Sequence, residues 1–457
     1  MATKRLLGID NNQVPRNKDF GGMAYQDPLA VTQGALANQI TNTSSVRPTI
    51  LLDFANSRIV DQRLTFYRAS IASYTNSKGF ISYVGVNQPR IDFDPVTLKC
   101  KGLLIEEQRT NLCTYSQDIS QAGANLYNNW NAASVTLSAT TAPDGTNTGN
   151  LFSATSPTAS RLFTFSASAG TTYTCSFWVK RNPSSNDTNL SQFGIEIAWS
   201  NNGTTLTGYT GFGVNAHTFQ QGIWTRVSAS YTCPTNATSM QMGPSNQGQG
   251  SAGDQLYSVY VWGVQIEAGT YTTSYIPTSG STVTRIADVA YVPLGNSAYT
   301  YTSVGDYTLI FNFINTYNSG GSSPRTLNGS NDSTFSAFIS INGADDYGSF
   351  FGNGYGFTAT GRSLGLEQKT ASSVYSLNST AGGYYQSFYA NGHGGQTQSY
   401  QTPYGAFNQY NVNGNALYFG GSGGTAGQGT PGVTWVTKFA YYPFRLPDAE
   451  LAEMTQI

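Results

Sequence analysis

Residues 172–180, TYTCSFWVK, alternate strictly: Tyr173, Cys175, Phe177 and Val179 share one face, while Thr174, Ser176, Trp178 and Lys180 share the other. A period of two with one apolar side marks a strand whose inner face meets a core and whose outer face can meet water. Residues 259–267, VYVWGVQIE, behave the same way, and the glycine within them, Gly263, predicts a bulge or a close backbone approach. Further β-like runs surround these two: SVTLSA, RLFTFSAS, FGIEIAWS, WTRVSASYTC and SMQMGP, with turn residues recurring at the spacing of a β-sandwich. A first antiparallel, jelly-roll-like sandwich is therefore expected over 113–290.

Moving outward, a Ser/Thr/Gly/Pro-rich passage, SYIPTSGSTVTRIADVAYVPLG, divides the chain, and a second series begins at DYTLIFNFINTY. It continues through TFSAFISING, GYGFTAT, YYQSFYANG, ALYFGGSGG and TWVTKFAYYPFRL, which predicts a second sandwich over 291–457. One helix is expected, in LPDAELAEM, where Pro447 suits the first turn and Asp448 and Glu450 suit the positive end of the dipole. Upstream, TILLDF, LTFYRA, FISYVGV, RIDFD and KGLLIEE read as a hairpin-rich connector over 47–112. Residues 1–46 hold no sustained period and are expected to be an arm that orders only against a partner.

Composition agrees with an all-β chain and narrows its partners. Aromatics make up 13% of the 457 residues and charged residues only 10%, far below the usual quarter, so the surface is polar but neutral. A net charge of −1 without a long basic run argues against nucleic acid as a partner. The opening MATKRLLGIDNNQVPRNKDF lacks the apolar core of a signal peptide, and no window approaches the ~18 apolar residues of a membrane helix, so neither ordinary secretion nor membrane insertion is expected. Cys100, Cys113, Cys175 and Cys233 show no metal-binding spacing. They read as reduced core residues, with a Cys175–Cys233 disulfide as the rival reading.

Three ordered blocks in 64–112 carry a resemblance. They are Phe66-x-Arg68-Ala69-Ser70, Pro89-Arg90-x-Asp92-x-Asp94-Pro95-Val-Thr, and Gly102-Leu-Leu-Ile-Glu106-Glu107-x-Arg109-Thr110-Asn111. This segment resembles one found in bacteriophage tail and tail-fibre proteins. Those proteins usually follow it with a carbohydrate-binding-module-like jelly roll ending in Trp-Gly-x-Gln-x-Glu-x-Gly and Thr-Ser-Tyr-Ile-Pro-Thr, matched here by Trp262, Gly263, Gln265, Glu267, Gly269 and residues 273–278. The ending KFAYYPFRLPDAELAEM is similar to the last strand and helical turn of concanavalin-like or laminin-G-like sandwiches. The resemblance implies a virion protein assembled in the host cytoplasm, docked through its N-terminal arm to other virion proteins, homotrimeric, and in contact with host surface glycans.

The candidate sites follow from chemistry. Arg68, Arg90, Asp92, Asp94, Glu106, Glu107 and Arg109 concentrate opposite charges in a chain with few. They read either as a Ca²⁺ or sugar site built from carboxylates or, the preferred reading, as Arg–carboxylate pairs that lock the connector. Trp178, Trp199 and Trp224 are candidate platforms for the apolar faces of sugar rings, against the plainer reading that they fill the core. Asp345, Asp346, Asn353, Tyr385, Asn391 and His393 lie in Gly-rich stretches with the composition of a sugar or Ca²⁺ site, or of solvated turns.

Catalysis is not expected. Glu196 with Asp254 or Glu267 are the carboxylate pairs a glycan hydrolase would need, yet no motif selects them. His217 and His393, the only histidines, adjoin no nucleophile motif. The leading expectation is thus a non-enzymatic phage tail fibre or appendage without a resident cofactor. The alternatives are a purely architectural head-decoration or collar protein and a polysaccharide depolymerase.

Overall fold

The computed structural model describes residues 47–123, 133–154, 156, 159–183, 193–201, 205–213, 222–246, 258–293, 307–315, 325–328, 338–342, 346–350, 356–360, 367–376, 383–391, 393–394, 398–401, 416–419, 433–442 and 444–456. They are overwhelmingly antiparallel strand, arranged in two compact units that the chain builds by interleaving. The first unit comprises the described parts of Met1–Arg68, Asn87–Glu107 and Asp288–Ile457, and the second comprises those of Ala69–Val86 and Gln108–Ala287. The chain passes between them after Arg68, Val86, Glu107 and Ala287.

In the second unit, Thr172–Arg181 lies at the heart of a five-stranded sheet, between Thr225–Thr232 and Ser258–Ala268, with Gly149–Ser153 and Ser134–Thr140 beyond the latter. A four-stranded sheet runs Phe163–Ser166, Ser239–Ser245, Gly194–Asn201, Thr205–Gly213. The alternation read from TYTCSFWVK holds: Tyr173, Cys175, Phe177 and Val179 enter a buried cluster with Val259 and Val261 of their own sheet. Phe163, Phe165, Ile195, Ile197, Met240 and Met242 meet them from the opposing sheet, which makes a sandwich. Each such side chain contributes roughly 1.5–3 kcal/mol by leaving water. All four cysteines are buried thiols without a disulfide, as their reduced reading expects, and burial raises the pKa of Cys113 and Cys175.

The first unit pairs a nine-stranded sheet with a seven-stranded one. The longer sheet is organised around Val433–Tyr442, which takes Tyr307–Asn315, Ile50–Asp53 and Cys100–Glu106 as partners. Its inward residues Phe311, Phe313, Val436, Phe439, Leu103 and Ile105 pack with Phe66, Ala290, Val292 and Phe419 of the shorter sheet in one buried cluster. The expected helix is present at Asp448–Met454, with Pro447 at its N-cap and Leu451 packed with Ile310, Tyr442 and Leu446.

One expectation about organisation needs correction. Residues 47–112 are no separate connector: Ile50–Asp53, Thr65–Tyr67, Ile91–Phe93 and Cys100–Glu106 are integral strands of the first unit. Ala72–Thr75 and Ile81–Val84 form a hairpin of the second unit, and Arg109–Asn111 pairs there with Val283–Arg285. A strand needs partners for its backbone N–H and C=O groups, and early residues of the chain supply them to strands near its end. The border expected near 290 falls close to the last passage between the units, after Ala287, and Val289–Pro293 already pairs with Thr65–Tyr67 and Ala416–Phe419 of the first unit. The expected arm, 1–46, lies outside the described residues.

Candidate functional site

The charge cluster resolves into separate joints. In the first unit, Arg90 donates to Glu106 Oε2 at 2.7 Å and to Asp288 Oδ2, while Arg68 donates to Asp288 Oδ1 at 3.1 Å. All four side chains are fully buried. The Glu106 backbone N–H adds a bond to Asp288 Oδ2 at 2.9 Å, and Asn87 Oδ1 accepts from the Arg68 N–H at 3.0 Å. Burial pulls the Arg90 guanidinium down, yet Asp288 and Glu106 outweigh it, and its pKa is raised. The preferred Arg–carboxylate reading thus describes Arg68, Arg90 and Glu106.

The other acids of the blocks go elsewhere. Asp92 accepts from the Trp435 indole at 2.7 Å, Asp94 caps its own loop through the Val96 and Thr97 N–H groups, and Glu107 is buried. These carboxylates do not converge, so the Ca²⁺ reading of the blocks fails on geometry; among the described residues no group of three or more His, Cys, Asp or Glu could hold a metal ion. Arg109 belongs to the second unit, where it donates to the Ala268 carbonyl and lies 4.7 Å from the Tyr271 ring centre.

The closing motif of the first sandwich is a strap. Gln265 accepts from the Ile276 N–H at 2.7 Å and donates to the Ser274 carbonyl at 3.2 Å. Glu267 accepts from the Thr273 N–H and hydroxyl at 3.1 and 2.5 Å. Residues 269–278 are thereby clipped across the outer face of the five-stranded sheet, where Thr174 donates to the Gly269 carbonyl at 2.7 Å. Thr174 and Ser176 are consequently buried, which corrects the expectation that this face meets water.

The strap also packs against two tryptophans, Trp262 and the candidate platform Trp178. Trp178 meets Trp262 and Tyr275 edge-on at 5.3 and 5.6 Å, and the Arg226 guanidinium covers its ring at 4.4 Å. Trp262 is fully buried and donates to Thr148 at 2.9 Å. Gly263 makes this packing possible: its φ is +69°, and a Cβ there would lie 2.9 Å from the Trp178 ring. Trp224 packs against the same aromatic cluster, donates to the Thr141 carbonyl and has Lys180 Nζ 4.8 Å from its ring centre. Trp199 stacks on Tyr231 at 5.2 Å and packs against the sandwich core. All three rings are half-buried, each packed against a buried cluster.

Of the residues singled out in the second series, Asp345 and Asn353 lie outside the described residues. Asp346, Tyr385 and His393 are placed only as strand positions, in Asp346–Phe350, Gly383–Ala390 and His393–Gly394. Asn391 is no ligand group: at φ +51° it is buried, donates to Gln368 Oε1 at 2.7 Å and accepts from the Lys369 N–H at 2.9 Å. Asp254 and His217 also lie outside the described residues.

A concave site that the sequence reading missed lies at the edge of the five-stranded sheet, in the second unit. Thr136 pairs with Leu151 and Thr140 with Gly149, so three residues, Leu137, Ser138 and Ala139, oppose Asn150 alone. The strand bulges there, and Ser138 adopts φ +54°. Beneath the bulge is a cleft of about 320 Å³, at the small end of the range for ligand pockets. Leu137, Ser138, Thr148 and Asn150 line it together with Tyr115, Gln117, Asp118, Thr278 and Ser279. Leu137 and Tyr115 are 47% and 36% exposed. Asn150 is held from below, its amide donating to the Gln117 carbonyl at 2.7 Å. The polar run SVTLSA followed by TTAPDGTNTGN offers no sign of this site, because the register slip that opens it is a pairing property.

No family model matches the chain, and no curated protein does. Among solved structures, the CBM40 module of Ruminococcus gnavus IT-sialidase bound to α2,3-sialyllactose is similar at 16% identity and a TM-score of 0.28, covering 35% of this chain and 89% of that one. A Trypanosoma rangeli sialidase mutant with trans-sialidase activity aligns at 16% identity and a TM-score of 0.27, covering 37% of this chain and 27% of that one. A structure described as a receptor binding domain aligns at 11% identity and a TM-score of 0.26, covering 36% and 38%.

Proposed function

We propose that this chain is a non-enzymatic structural protein of a bacteriophage particle, a tail fibre or related appendage that docks by residues 1–46 and contacts host surface glycans. The observation that carries the adhesive half is the cleft under the Leu137–Ala139 bulge, whose lining combines the exposed Tyr115 ring, the exposed Leu137 side chain and the polar groups of Gln117, Ser138 and Ser279. Sugar rings need that combination, since their C–H faces pack on apolar groups while their hydroxyls require polar partners. The virion half is supported by the ordered blocks of 64–112, whose side chains are used for internal joints rather than chemistry.

Glu267, one of the carboxylates a hydrolase would need, has its oxygens engaged by Thr273, and Glu196 stands in the other sheet. Self-association is supported by Ile71, Phe80, Tyr83 and Val86, four exposed apolar side chains concentrated in and around one hairpin.

Three measurements test this reading. Immunogold labelling of intact particles is expected to decorate the tail; label on the head alone, or none, overturns it. A glycan array probed with the full chain is expected to show binding, and an array silent at all accessible concentrations removes the adhesive role. Release of reducing ends from host polysaccharide would overturn the non-enzymatic assignment.

A further inference from the structure

We infer that the cleft under the Leu137–Ala139 bulge is a subsite for one neutral hexose residue and discriminates against anionic sugars. This deepens the glycan-contact reading and rests on it. The charge of the lining decides the ligand class. Asp118 is the one ionisable acid among the lining residues, and no Lys or Arg is among them. A uronate or sialate carboxylate would enter beside a like charge and find no cation there, which costs affinity.

The nearest basic groups are committed elsewhere. Arg161, which interacts electrostatically with Asp118, spreads its guanidinium over the Ala133, Ser120 and Ala122 carbonyls at 2.5 to 3.2 Å. Lys180 donates to Thr140 at 2.8 Å with its ammonium beside the Trp224 and Tyr260 rings. Asp118 itself is restrained as an acceptor for Ser120 and Gln121, so its carboxylate is held in place as a fixed negative wall.

The lining also fits a pyranose in kind. Tyr115 and Leu137 offer apolar surface, while Ser138 and Ser279 offer hydroxyls that both donate and accept; the Thr148 hydroxyl is already engaged by Trp262 and Thr146, and that of Thr278 by Cys113 and Ser116. The volume of about 320 Å³ and the open mouth suit a terminal residue of a longer glycan better than an internal stretch.

The experiment is calorimetric titration of the full chain with methyl glycosides of neutral hexoses, and with methyl glucuronide and the methyl glycoside of sialic acid as anionic probes. At least one neutral glycoside is expected to bind, with the anionic probes roughly tenfold weaker or worse. Tyr115→Ala and Leu137→Ala, both at exposed positions, are each expected to weaken that binding about tenfold while the melting temperature holds. If a neutral glycoside binds and neither folded variant weakens it, the cleft is the wrong place, although the glycan-contact reading stands. If an anionic probe binds as tightly and Tyr115→Ala abolishes it, the selectivity is wrong. If no glycoside binds while the array is positive, the single-residue subsite is wrong; if the array is silent too, the broader reading falls with it.

Discussion

Asp288 bridges Arg68 and Arg90, accepting from one guanidinium on each carboxylate oxygen, 220 and 198 residues away in sequence. The positions matter as much as the charges. Arg68 is the last residue before the chain first leaves the first unit, Asp288 is the first after its final return, and Glu106 stands one residue before the third passage. Asn87, whose side chain receives the Arg68 N–H, opens the segment between. One dry ionic joint therefore gathers the ends of the three segments that make up the first unit.

Asp288→Asn should expose how much that joint carries. Removing the charge of Asp288 takes from Arg68 and Arg90 the carboxylate they share and leaves Glu106 opposite Arg90, and breaking such a set typically costs about 3–5 kcal/mol. The urea midpoint of the transition that reports the first unit should fall accordingly. A midpoint unchanged from the parent would show that the joint is ornamental.

A different carboxylate ties a loop to pH. The Asp94 carboxyl is pulled upward by partial burial, but the Thr97 and Val96 groups it accepts from, with Lys101, lower its pKa overall. A lowered folded pKa means that its contribution is complete above about pH 4, the ordinary value, and is lost as the pH falls through the folded value. Protection factors at the Val96 and Thr97 amides should therefore fall as the pH drops below that point in the parent, and be low at all pH values in Asp94→Ala. Equal protection factors in the two proteins at neutral pH would sink the assignment of Asp94 as the loop's cap.

The strap gives an optical prediction. Glu267 holds Thr273, and Tyr275, two residues on, covers Trp178 and Trp262. Glu267→Ala should loosen residues 269–278, let water reach both indoles and red-shift the tryptophan emission, with the four-stranded sheet intact by circular dichroism. An unshifted spectrum would mean that the Gln265 contacts to Ser274 and Ile276 hold the strap unaided.

What could be read in the chain was what depends on local period. Tyr173, Cys175, Phe177 and Val179 point into the core because a strand alternates, and the 448–454 helix forms where Pro447 and its acids permit. The expected strands are nearly all present, but their assignment to units was not legible. Pairing partners such as Ile50–Asp53 with Lys438–Tyr441 are almost the whole chain apart, and composition says nothing about such a pairing. Asp288 was overlooked for the same reason: RIADVAY looks like linker until Arg68 and Arg90 arrive beside it. The cleft escaped because it depends on a register slip between Ser134–Thr140 and Gly149–Ser153, and no residue type announces one.

Gly263 was legible as a special backbone position, and a double-mutant cycle can separate the two reasons for it. One is conformational: at φ +69° an alanine costs about 1–2 kcal/mol whatever surrounds it. The other is steric, because its Cβ would press on the Trp178 ring, and overpacking of this kind costs about 1–3 kcal/mol. Gly263→Ala should therefore destabilise the second unit by the sum. Trp178→Leu removes the obstructing ring, and in that background the alanine should cost only the conformational part. The two substitutions are thus expected to be non-additive, with a coupling about the size of the steric share. Strict additivity in urea unfolding would show that the indole moves aside freely, and that the glycine answers to backbone geometry alone.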